Sequence, residues 1–192
     1  MAITFSGLLK LAVLTVQRPR LGARVVLGQD LPMPARWTAL AFTAVASALL
    51  THLALALMRL PDGGQMLLPG PVALALVQFG VMVLTAIAAH RIGRWRGGRG
   101  RIEDAVLLMA WLQFILLCLQ GLQIVAMIVL PVLADVLGMM GLVLFLWLLT
   151  AFVAEMHGFS SLGRVFAGIL GSIFALALLL SALLAFAGGA PA

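Results

Sequence analysis

Of 192 residues, 64% are hydrophobic and only 9% charged, too little polar side chain to cover a core in water. That excludes an ordinary water-soluble domain and points to an all-α integral membrane protein whose apolar exterior is solvated by lipid. The formal net charge of +6 lies in connecting segments rather than on one folded face. This excludes a nucleic-acid reading and suits anionic headgroups as partners.

Residues 1–35 form a basic segment expected in the cytoplasm or at the membrane interface. The apolar run at its start is interrupted by Lys10, lacks a basic beginning and meets Arg18, Pro19, Arg20 and Arg24 instead of a cleavage site, unlike a secretory signal. At helical spacing Phe5, Leu8, Leu9, Ala12 and Val16 share one face, with Ser6, Lys10 and Gln17 on another. Pro19 suits the first turn of a second helix, where its missing N–H costs nothing. In that piece Arg20 and Arg24 stack one turn apart, opposite Leu21, Val25 and Val26. Two short amphipathic helices lying in the headgroup layer are therefore expected.

Residues 36–192 carry five apolar spans, at about 37–58, 71–89, 105–130, 137–154 and 165–187, each near the ~20 residues that cross hydrocarbon. Arg36 and Trp37 mark the inner edge of the first. The second ends at His90, where Arg91, Arg94, Arg96, Arg99 and Arg101 crowd a short glycine-containing loop that reads as a flexible connection. The third, as one helix, would rise about 39 Å against a ~30 Å core, so it must tilt or break near Gly121. The fourth is expected to start beyond a turn marked by Pro131 and Asp135.

Basic residues fix the orientation. Lys10, Arg18, Arg20, Arg24 and Arg36, the five loop arginines and Arg164 fall on one side, and only Arg59 on the other. Arginine-rich short loops stay cytoplasmic, which puts the N-terminus inside and the C-terminus outside. Eleven arginines against one lysine indicate a GC-rich bacterial genome and hence a bacterial inner membrane.

Within the spans, the residues able to do more than pack are few. Gln113, Gln120 and Gln123 recur along the third span and could bond one another, a neighbouring helix or a small aqueous cavity. Glu155 and His157 could relay a proton, but residues two apart point in different directions on a helix. Pairing of Glu155 with Arg164 or a loop arginine is the simpler expectation. Gly163, Ala167, Gly171 and Ala175 form a small-residue seam on the fifth span, expected to pack within the chain in preference to a homo-oligomer interface. Cys118 and three scattered histidines lack metal-ligand spacing, and no nucleophile elbow, Walker loop or dinucleotide fingerprint is present. No cofactor, metal or catalytic residue is assigned.

A basic amphipathic start, five spans, GGRGRIEDA entering the third and VAEMHGFSSLGRVFAGIL joining the fourth to the fifth together resemble the bacterial branch of the Yip (Ypt-interacting protein) family. The resemblance, covering about residues 18–184, implies a five-span, non-enzymatic membrane protein. Eukaryotic members have a long cytosolic N-terminal region linked to Rab-type GTPases. Here that region has about thirty residues and the chain no tyrosine, so the GTPase link is not carried over. The expected function is membrane organisation or partner recruitment, other membrane proteins included. The alternative is a small transporter or channel component with a polar path through the third span.

Overall fold

The computed structural model describes residues 4–57 and 69–188; the turn after the first span and the last four residues lie outside the described residues. Seven helices follow one another: α1 (Phe5–Gln17), α2 (Pro19–Leu27), α3 (Met33–Leu57), α4 (Pro71–Trp95), α5 (Ile102–Val129), α6 (Pro131–His157) and α7 (Leu162–Gly188). Among the described residues there is no strand. The five from α3 onward are long and apolar enough to cross a membrane.

Proline sets three of the helix starts. Pro19, Pro71 and Pro131 each occupy the first turn of their helix, where no backbone donor is lost. Pro131 therefore begins α6 instead of marking a turn, and Leu130 alone separates it from α5. Helix α4 continues past His90 to Trp95, so Arg91 and Arg94 ride on its last turns. Helix α5 does not break at Gly121: it is continuous over 28 residues, about 42 Å at 1.5 Å per residue. Its first turn carries Glu103 and Asp104, favourably placed at the positive end of the helix dipole.

Helix α5 is the centre, packed by α3, α4 and α6. Burial along it is uneven. Every residue from Ala105 to Leu112 is buried, whereas Ile124 and Ala126 are the only buried positions in its last nine residues. Helix α6 mirrors this, buried from Leu148 to Ala154. Leu40, Leu112 and Leu148, one each from α3, α5 and α6, are the largest fully buried side chains. The tight core thus lies at the arginine-rich end, where α1 and α2 cross the bundle. Helix α7 is an outrigger that packs on α6 and buries only Val165 among its described side chains.

Candidate functional site at the arginine-rich end

The N-terminal helices are docked on the bundle as well as amphipathic. The single apolar face expected of α1 is split. Ala12 and Thr15 are buried, with Leu8 and Leu11 packed beside them, while Leu9, Val13 and Val16 remain exposed. On α2, Gly22, Ala23 and Val26 are buried, while Leu21 and Val25 are exposed. The two helices cross so closely that a Cβ on Gly22 would overlap Thr15. Trp111 Nε1 of α5 donates to Thr15 Oγ1 at 3.2 Å, which fixes α1 to the central helix. Arg36, at the start of α3, donates to Leu31 O at 2.9 Å and to Asp104 Oδ1 at 3.3 Å.

Glu155 is the anchor of α2. Its partners are Arg20 and Arg24, neither the loop arginines nor Arg164. Arg20 Nε donates to Glu155 Oε2 at 2.9 Å, and Arg20 Nη2 to Phe159 O at 2.6 Å. Arg24 Nε donates to Glu155 Oε1. One turn of separation puts both guanidiniums on the same side of α2, so one carboxylate receives both. Through that hydrogen bond, and second through charge, Glu155 holds the Arg24 guanidinium above its ordinary pKa.

His157, two residues on, faces elsewhere and does not touch Glu155. Its Nδ1 accepts from Gly100 N at 3.1 Å, and its Nε2 lies 3.2 Å from Ala89 O. A backbone donor at Nδ1 requires a lone pair there, so the proton sits on Nε2 and the ring is neutral. The seat is built from glycine: a Cβ at Gly93, Gly98 or Gly100 would overlap the imidazole. The glycine loop is therefore a fitted turn rather than a loose connection. Gly97, at φ 86, supplies the left-handed residue, and Gly98 N–H returns to Gly93 O at 2.9 Å. Gly158, at φ 74, closes α6, with Phe159 N–H donating to Ala154 O at 2.8 Å. Several glycines within eight residues, facing one apolar-flanked histidine, were the available sequence signal for this seat.

The remaining candidate residues are dispersed. Arg18, Arg91, Arg94, Arg96 and Arg99 are exposed and form no ion pair with the described residues; Arg101 reaches its neighbour Glu103 at 3.4 Å. The glutamines do not bond one another. Gln120 accepts from Ser47 Oγ at 3.0 Å and donates to Thr51 Oγ1 at 3.1 Å, bridging α5 to α3. Gln123 donates to Ala134 O at 3.2 Å on α6. Gln113 is half-buried. Glu155 packs near the beginning of α5, about 27 Å of helix rise from Gln120, so it adds no charge to those amides. The seam residues Gly163, Ala167, Gly171 and Ala175 are exposed; a Cβ on Gly163 or Gly171 would meet nothing within 4 Å. The intramolecular packing expected of that seam is not made by the described residues. Among them, too, no three His, Cys, Asp or Glu gather as for a metal.

No curated protein and no solved structure matches the chain. The sequence pattern of the Yip1 domain does match, over residues 13–184. That stretch takes in the end of α1 with Thr15, the α2 clamp, the glycine seat and nearly the whole of α7, and the chain belongs to the Yip1 domain family.

Proposed function

We propose that this is a non-enzymatic protein of the bacterial inner membrane that organises the bilayer, with its arginine-rich end in the cytoplasmic leaflet. The observation that carries the reading is the docked pair α1–α2. One side is held to the bundle by Glu155, through Arg20, and by Trp111, through Thr15, while Leu9, Val13, Val16, Leu21 and Val25 stay exposed on the other. An apolar strip fixed at headgroup depth, flanked by arginines, occupies area in one leaflet only. Anionic lipids meet Arg18 beside it. Recruitment of other membrane proteins would use the same displayed surface.

The glutamines support no second reading, because Gln120 and Gln123 spend their amides on neighbouring helices as interhelical bonds. The test is vesicle morphology. Reconstituted at high protein density, the wild type should give smaller and more tubular vesicles than the triple variant Leu9→Ser, Val13→Ser, Val16→Ser. Identical size distributions, with equal protein incorporation, would remove the wedge.

A further inference from the structure

We infer that the groove between α4 and α7, floored by α6, holds one chain of an anionic phospholipid whose phosphate sits between Arg96 and Arg164. The opening has a volume of about 780 Å³, within the ~300–1,000 Å³ usual for ligand sites. It exists because α7, over its described residues, packs on α6 in preference to α4.

The chemistry of its lining changes along its length. Leu84, Phe145, Leu149, Ile169 and Leu176 make the long part apolar. The two hydroxyls there are already used, Thr85 Oγ1 on Val81 O at 2.7 Å and Ser172 Oγ on Gly168 O at 2.7 Å. No donor is left to hold a polar ligand at that depth. At the other end the lining turns to Arg96, Ser160, Ser161 and Arg164, and neither arginine pairs with a described carboxylate.

The dimensions fit one leaflet. From Arg164 to Leu176 α7 rises about 18 Å, close to half of a ~30 Å hydrocarbon core plus the step to the headgroup. Cations at headgroup depth above an apolar slot that stops near the midplane complement an anionic phospholipid in both charge and length. A second copy of the chain would instead bring α7, whose described residues carry only the positive Arg164, against these arginines without neutralising them. The inference is independent of the wedge reading: α1 and α2 do not line the groove.

The test is native mass spectrometry of the full chain, released in mild detergent from vesicles of equal parts phosphatidylglycerol and phosphatidylcholine. The wild type should retain one phosphatidylglycerol per chain. With roughly five-fold per arginine, Arg96→Gln with Arg164→Gln should reduce retention about twenty-five-fold. Arg94→Gln with Arg99→Gln, the same charge loss outside the groove lining, should leave it unchanged. Gly168→Leu has open space for its side chain and should expel the lipid by filling the slot, without altering the circular dichroism spectrum. Equal loss in both arginine pairs would mean diffuse electrostatics and overturn the site. So would full retention in the Arg96, Arg164 or Gly168 variants, or a lipid-free dimer as the only species.

Discussion

Replacing Glu155 with glutamine probes the clamp with almost no change of volume. In the native chain the Glu155 side chain is 12% exposed and faces Arg20, itself 34% exposed. A hydrogen bond to a charged group contributes about 1.5–3 kcal/mol, and partial exposure of Arg20 lowers this to roughly 1–2 kcal/mol. Arg24 is far more exposed, and its share is screened by water and salt. Glutamine can still accept one hydrogen bond, but it leaves both guanidiniums without a countercharge. The loss falls on the docking of α2, not on the bundle, because Leu40, Leu112 and Leu148 are untouched. Hydrogen exchange should therefore accelerate about five- to thirty-fold for the α1 and α2 amides, while the buried stretches of α5 and α6 stay unchanged. Arg20→Gln should do the same, and the double variant should add little to either single change. Unaltered exchange in α2, or a loss of protection spread evenly over the chain, would refute the clamp.

Three further outcomes follow from the packing. Gly98→Ala forces a Cβ into the His157 ring and should lower stability by about 1–3 kcal/mol; in a His157→Ala background the same change should cost much less, as thermal melts in detergent would show. Gln120→Leu removes the bonds to Ser47 and Thr51 and should cost about 0.6 kcal/mol, at most ~1.7, in a detergent unfolding titration. Trp111→Phe deletes the donor to Thr15, about 1 kcal/mol, and should make α1 more sensitive to limited proteolysis while leaving the bundle resistant.

The spans were legible because lipid demands long uninterrupted apolar helices, and hydropathy counts those directly. The break at Pro19 was legible for a similarly local reason. Which side of an apolar helix looks inward was only partly legible: Leu8, Ala12 and Val26 pack inward, while Leu9, Val16 and Leu21 do not. In water, periodicity separates core from surface; in lipid, both are apolar, so Leu8 and Leu9 look alike although only Leu8 packs against the core. The seam at Gly163 and Gly171 is left uncovered by the described residues, since small residues announce that a backbone can approach but not that one does. Glu155 meets Arg20 across 135 positions of sequence, a pairing that no local pattern contains. The glycine loop looked loose because glycine permits both freedom and close approach, and only the imidazole across from it decides between them.

The central claim is that five helices cross the membrane with the arginine-rich end in the cytoplasm. Cysteine labelling in intact cells tests it most directly. On a Cys118→Ser background, single cysteines would replace the exposed Trp95 at the arginine-rich end and the exposed Val132 at the other, with a third appended after residue 192. The account predicts that a membrane-impermeant maleimide reacts with the cysteines at 132 and after 192 but reaches the one at 95 only after lysis. Labelling at 95 before lysis, or protection of the appended cysteine, would contradict it.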